Sequence, residues 1–467
     1  MAGHPLLIAA VFASALFVIY NVFFGKNSPQ RKGARVPPGP PGKPLIGNLL
    51  DIPPSHSWLK FKEWADEHLA QRQEANAPAH NAIGCDIVPT DADPRVHTPF
   101  ARSPALPKDY EQWFERYSSG LIFRLGFGKT IKNEGVVRRI MDVNHNLEKV
   151  ASPGAYLVDT FPSMMYVPEF LAPWKRQLGE FHKEELGLFR ELLQDVREEM
   201  EKGTAPPCWE RTFIEGQEQW GLSTDHGAYV IGTLFEAGSG TTSAAMCSFL
   251  LAMVLHPTWL ARLHDEVDRV VGPDRMPEFE DMPNLPTCRA VIKEVLRWHP
   301  VTAGGLPHQL IKDDVYENYF IPAGTNIHPN QWAIHREPEL YPDPEAFNPE
   351  RWLDPKFPTY KEPLSVYPNL QNFSAFGFGR RICPGQNIAE RSLNILTARI
   401  AWGCDIRKAK GEDGAEVEVP LYDYEVTWFQ YETEVVSFEL KPRSEEKTKI
   451  VRTALDELTR NDPLAGR

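Results

Sequence analysis

Phe376-Gly377-Phe378-Gly379-Arg380-Arg381-Ile382-Cys383-Pro384-Gly385 is the stretch that decides how the rest of this chain is read. A cysteine stands here just ahead of a helical run from Asn387 to Ala401, with two arginines before it and a Pro-Gly step after it. The positive end of a helix and neighbouring guanidinium groups both favour thiolate over thiol, so the pattern predicts Cys383 as an anionic metal ligand. The glycines let backbone approach a flat ligand, and Pro384 removes a donor at a tight turn. An isolated cysteine is ordinarily inert core filling, and that remains the default for the other five, Cys85, Cys208, Cys247, Cys288 and Cys404.

Phe376, Gly379, Arg381, Cys383 and Gly385 fill the pattern FxxGxRxCxG, which resembles the haem-binding loop of the cytochrome P-450 family. The resemblance implies haem b (iron protoporphyrin IX) with Cys383 as its axial ligand, Arg381 on a haem propionate and Phe376 packed near the sulfur. A thiolate ligand pushes electron density onto iron and favours O–O cleavage, which separates oxygen activation from oxygen carriage. The implied fold is mainly α with a small β portion. The implied reaction inserts one atom of O2 into a hydrophobic substrate and reduces the other to water.

Glu294-Val295-Leu296-Arg297 lies in a helical pattern whose i, i+3 spacing puts carboxylate and guanidinium on one face. Such a pair is worth little when exposed. The family buries it against an arginine from a later loop, and Arg351 in Phe347-Asn348-Pro349-Glu350-Arg351-Trp352 matches that third member. Buried ions need several partners, so Glu294, Arg297 and Arg351 are expected to form a structural network behind the haem.

Gly227 to Pro257 reads as one long apolar helix interrupted by Ala237-Gly238-Ser239-Gly240-Thr241-Thr242. Two glycines mid-helix are costly, which predicts either close packing there or a local opening. The segment is similar to the family's AGx(D/E)TT motif on the distal haem face, where Thr241 would organise water and help deliver protons to dioxygen. Gly240 departs from that pattern, standing where the family usually has an acid, and Glu236 is the nearest carboxylate. A peroxide-driven or rearrangement activity stays open on this ground. Small and apolar residues at Pro300-Val301-Thr302-Ala303-Gly304-Gly305-Leu306, a stretch that borders the substrate in the family, suggest a bulky apolar substrate. His308 follows without a partner histidine at ligand spacing, and Pro322-Ala323-Gly324-Thr325 reads as a turn between short strands.

The chain of 467 residues can bury a large core, and its balance of 50 basic against 63 acidic residues disfavours a nucleic-acid partner. Residues 6–24 carry no Asp, Glu, Lys or Arg and are just long enough to span a bilayer. Ala13-Ser14-Ala15 keeps a cleaved signal peptide open as the competing reading, though no basic residue precedes the apolar run. Lys26, Arg31, Lys32, Arg35 and Lys43 follow it, and positive-inside bias then places the body in the cytosol. The expected organisation is an anchor at 6–24, a basic and Pro-rich linker at 25–48, and a catalytic domain at 49–467. The resemblance adds a single-pass endoplasmic reticulum location in contact with membrane lipid.

Trp58, Phe61, Trp64 and Ala65 form the apolar face of a first helix. From there the family pattern lapses. Residues 69–108 hold scattered Pro, Ala, Asp and His with little periodicity, where the family has strands and a WxxxR helix that grips a propionate. A genuine loss and a coding sequence joined across the wrong exons both account for this, and a membrane-anchored pseudoenzyme without stable haem is the alternative function. WxxxR occurs in this chain only at Trp332 to Arg336, in a later loop. With no flavin or nicotinamide domain in view, NADPH is expected to act through a separate NADPH-cytochrome reductase, with Arg380 and Arg391 on the docking face. FEAGSGTTSAAM and the Pro-rich linker resemble fungal members that oxidise polycyclic polyketides and related secondary metabolites.

Overall fold

The long apolar run predicted around Gly227 is a single helix, Thr224–Leu255, and the molecule is arranged about it. Its first turn is capped by the Ser223 hydroxyl, which accepts from His226 N at 3.2 Å, and Pro257 follows two residues beyond its end. In the computed structural model the described residues are 57–69, 110–131, 134–151, 155–156, 158, 161–317, 319–360, 370, 373–411, 413–419, 438–462 and 464, with fragments at 37, 39–41, 48 and 51–53. The predicted anchor at 6–24, most of the linker at 25–48 and nearly all of the atypical segment at 69–108 lie outside them.

The helices in chain order are α1 (Ser57–Leu69), α2 (Tyr110–Phe127), α3 (Glu134–Ala151), α4 (Pro173–Glu201), α5 (Trp209–Trp220) and α6 (Thr224–Leu255). They continue with α7 (Pro257–Val270), α8 (Pro286–Trp298), the short turns α9 (Gln331–Ile334) and α10 (Glu350–Leu353), α11 (Gln386–Gly403) and α12 (Glu445–Asn461). The β portion is three antiparallel pairs. β1 (His308–Gln309) pairs with β4 (Asn326–Ile327), β2 (Asp314–Tyr316) with β3 (Tyr319–Ile321), and β5 (Cys404–Lys408) with β6 (Phe438–Pro442). Gly324, at φ 85°, makes the expected turn between β3 and β4.

Helix α6 threads two apolar cores. Its N-terminal half puts Ile231 and Phe235 among Phe123, Phe127, Phe189 and Phe213. Its C-terminal half, Ala245 to Val254, joins α7, α8 and α11. Among the described residues it is the one helix long and apolar enough to cross a membrane, but 83% of its most apolar window is buried in protein, which makes it a core helix.

The mid-helix glycines answer to packing. A Cβ on Gly238 would come within 2.6 Å of Ile122 Cγ1, and one on Gly232 within 2.3 Å of Phe189 Cδ2. α2 therefore lies so close that Ser118 Oγ donates to the Ser239 carbonyl. Of the two alternatives the sequence left, the close approach is the one found, and the helical pattern runs unbroken from 224 to 255.

Helix α8 is buried at every residue from Thr287 to Trp298. Its first amide groups are capped from outside by Glu266 of α7, which accepts from Thr287 N and Cys288 N at 3.0 Å each. The same helix carries Glu294 and Arg297, both fully buried. Arg297 makes a bidentate bond to the Glu294 carboxylate at 2.9 and 2.8 Å, and Arg351 Nε approaches Glu294 Oε1 at 3.3 Å. Trp352 Nε1 at 3.1 Å and Asn348 N at 2.8 Å complete the carboxylate. The outer faces of the guanidinium groups donate to the carbonyls of His335, Pro344, Ala346, Pro342 and Asp343. One carboxylate thus ties α8 to the whole loop from 335 to 352.

The chain continues past the last strand into α12, an element the sequence reading did not place. Ser444 caps it with Glu445 and Glu446 in its first turn, and Asp462 beyond its end meets Arg124 of α2 through two bonds of 2.8 Å.

Glu294→Gln leaves two buried guanidinium groups without their counter-charge. The expected loss is about 3–5 kcal/mol of unfolding free energy. Chemical denaturation checks it, and a loss below about 1 kcal/mol, the range of an exposed pair, would contradict the role given to the network.

Candidate haem-thiolate site

Two 3-10 turns, Ser374–Phe376 and Gly379–Arg381, build the loop ahead of α11. Gly377 and Gly379 sit at φ 86° and 61°, a left-handed backbone that makes glycine the residue of choice at both positions. These reversals carry the chain back on itself, so that Cys383 N donates to Phe376 O at 2.8 Å. Phe376 is half-buried against the larger core. Gly385 stands at the N-cap of α11, and a Cβ there would lie 3.8 Å from Cys383 Sγ.

Cys383 is exposed, whereas Cys208, Cys247, Cys288 and Cys404 are buried. Arg380 and Arg381 beside it are exposed and have no ion-pair partner among the described residues. Cation-bearing side chains flanking an exposed thiol ahead of a helix are a donor set that fits a dianionic haem with an axial thiolate. Among the described residues no cluster of three His, Cys, Asp or Glu offers a competing metal site. His308, on the exposed strand β1, pairs only in the ladder with Ile327.

One expectation fails here. The helix start and the arginines were expected to favour the Cys383 thiolate, but burial of the sulfur's protein side pushes its pKa up, and only the Gly385 backbone N–H pulls it down. The protein alone therefore favours the thiol. A bound metal cation would supply the charge that favours the thiolate of a coordinating cysteine.

Helix α6 packs against α11 and carries an exposed stripe, Val230, Thr233, Ala237 and Thr241, along an otherwise buried element. Thr241 Oγ1 donates to the Ala237 carbonyl at 2.8 Å, so its hydrogen is engaged and its lone pairs point outward as acceptors. Gly240 is buried. Glu236, the carboxylate that the sequence offered in its place, is 93% buried and faces α4 instead of the stripe. Five residues at 100° each put Glu236 and Thr241 about 140° apart around the helix.

Glu236 meets Glu185 of α4 side chain to side chain, in a group that includes Tyr229 and His182. Tyr229 O–H lies 2.5 Å from His182 Nδ1 and 3.0 Å from Glu185 Oε2, with the Arg190–Asp225 pair at 2.7 Å on the rim. Burial first, then the Glu185 charge, raises Glu236 to about 8. No spacing in the sequence marks this contact, because the partners are 51 residues apart. The raised carboxyl contributes stability that is fully present in acid and lost as pH climbs from the ordinary 4.5 towards 8. Glu236→Gln should therefore flatten the fall in stability between those pH values. Thermal denaturation across that window checks it, and an unchanged slope would contradict the raised Glu236 carboxyl.

The remaining candidates separate. Arg391 is half-buried with its guanidinium 4.8 Å from the Phe279 ring, which leaves Arg380 as the freer charge of the predicted docking pair. Trp332 and Arg336 are buried in the loop after β4, the guanidinium 3.2 Å from the indole and bonded to the Trp298 carbonyl, so this WxxxR serves the loop. His335 and Ser374, which the sequence reading passed over, lie between the Glu294 network and the Cys383 loop at 2.7 Å from each other.

Residues 98–411 match the family model described as cytochrome P450. The chain is 34% identical to cytochrome P450 monooxygenase 113 of Postia placenta, over 86% of this chain and 91% of that one. It is 28% identical to cytochrome P450 monooxygenase virE of Hypocrea virens, over 91% and 89%. A zebra fish cytochrome P450 solved with abiraterone superposes with a TM-score of 0.56 at 22% identity over 72% of each chain, a likeness that speaks to the fold alone. The mainly helical fold with few strands, the family match and the monooxygenase relatives agree: this chain belongs to the cytochrome P450 family and is a haem-dependent monooxygenase.

Proposed function

We propose that Cys383 is the axial ligand of haem b and that the chain oxidises a bulky apolar metabolite in fungal-type secondary metabolism. The observation that carries this is the exposure of Cys383, alone among the described cysteines, at the end of a loop pinned by the Phe376 carbonyl. When bound, haem with a thiolate ligand supplies the activation of dioxygen. Arg381 is placed on a propionate and Phe376, Gly379 and Gly385 shape the sulfur's surroundings, as the loop pattern implies.

Thr241 holds water by accepting at Oγ1, since its own hydrogen is given to Ala237. Because Glu236 faces α4, protons reach Thr241 through water along the exposed stripe. Leu306, 55% exposed beside the buried Ala303 to Gly305, supports an apolar substrate wall. Electrons come from NADPH through a separate NADPH-cytochrome reductase that docks near Arg380. Residues 6–24 anchor the chain in the endoplasmic reticulum membrane as a single pass, 25–48 act as a basic and Pro-rich spacer, and 49–467 form a cytosol-facing catalytic domain.

The test supplies NADPH, a fungal reductase and isotopically labelled dioxygen together with a panel of apolar polycyclic polyketides. One labelled atom is expected in the product. Thr241→Ala should cut product formation roughly 10²-fold while NADPH oxidation continues and hydrogen peroxide accumulates, and Thr241→Ser should restore it. Equal coupling of NADPH to product in the wild type and Thr241→Ala would contradict the role of the threonine.

A further inference from the structure

We propose that His335 is a positioning residue for Cys383, acting through a hydrogen bond to Ser374 that fastens the thiolate loop to the Glu294 network. The inference rests on the haem-thiolate reading above and adds to it a residue outside the loop motif.

The connection can be followed atom by atom. Arg297, already bidentate on Glu294, donates from Nη1 to the His335 carbonyl at 3.0 Å. The His335 ring is fully buried, lies parallel to Phe373 at 5.2 Å and 4°, and brings Nε2 to 2.7 Å from Ser374 Oγ. Gln331 Nε2 holds the Ser374 carbonyl at 2.7 Å. Ser374 opens the turn whose last residue, Phe376, receives the Cys383 amide at 2.8 Å. From Phe373 to Gly385 the chain has only two single 3-10 turns, so the loop depends on its end attachments. α11 secures the C-terminal end, and His335 with Gln331 secures the other.

The chemistry suits a fixed strut. Burial, with the charges of Arg297 and Arg336 nearby, pushes the imidazole down to about 3, so it stays neutral at any working pH. The Arg297 and Leu296 backbone of α8 lies against the ring and the Ser374 hydroxyl meets Nε2, so the imidazole is oriented from the α8 side and directs one bond to the thiolate loop. Side chains whose rotamers are set by packing and directional bonds are what hold a ligand loop to within a fraction of an ångström.

Four full-length variants test this: His335→Phe, which keeps the ring stack and loses the bond; Ser374→Ala, which loses the other end; the double variant; and His335→Gln, which returns a nitrogen donor. Two readouts are used. In haem-loaded protein the reduced, carbon monoxide-bound spectrum gives the ratio of thiolate to thiol ligation. In the unloaded chain, hydrogen exchange reads the Cys383 amide. Each single loss should lower the ratio and the amide protection about five- to tenfold, the equivalent of one buried hydrogen bond. The double variant should be no worse than the singles, and His335→Gln should return to within about twofold of wild type. Additive losses, or singles that lower only the melting temperature, would overturn the proposal. A wild type without a thiolate band contradicts the haem reading instead, and the amide exchange then still decides whether His335 positions the loop.

Discussion

A single buried carboxylate governs the half of this molecule that matters for chemistry. Glu294 accepts from two guanidinium groups, an indole and a backbone amide, and the carboxylate, both arginines and the indole are buried. Alone in such a place a charge would cost many kcal/mol. With every oxygen occupied and both guanidinium groups spending their outer faces on carbonyls, the arrangement is self-consistent only in one geometry. That is why a loop with almost no regular structure between 335 and 352 can have a fixed shape.

From that fixed loop the order passes outward in short steps. His335 and Gln331 reach Ser374, the turn after Ser374 presents the Phe376 carbonyl, and the carbonyl holds the Cys383 amide. On the other side α6 runs through both cores and lays an exposed stripe ending at Thr241 on a helix packed against α11. Gly238 and Ser239 let α2 and α6 touch at that level, so a glycine that looked expensive in sequence is the means of a close helix approach. Burial pushes the Cys383 thiol up, so the loop supplies position and a bound metal would supply the charge that favours the thiolate.

Much of this was legible in the residues because the informative groups are near each other in sequence. The loop at 376 to 385, the i, i+3 pair on α8, and the single long helix are local patterns, and the third member Arg351 came with its own local motif. Orientation was less legible. Glu236 was proposed as the nearest acid from its distance along the chain, yet helical rotation and the facing Glu185 turn it away from Thr241. His335 and Ser374 are 39 residues apart in segments without periodicity, so no spacing could mark them as a pair. α12 did carry a readable start, a serine followed by two glutamates, and was missed because the family pattern ended before it.

The central claim is that Cys383 binds haem iron as a thiolate. The most direct measurement is the reduced, carbon monoxide-bound difference spectrum of the expressed full chain beside Cys383→Ser. A thiolate-type Soret band in the wild type that vanishes in the variant is the predicted result. Folded, soluble wild-type protein with no haem band, or an identical band in Cys383→Ser, would contradict the account.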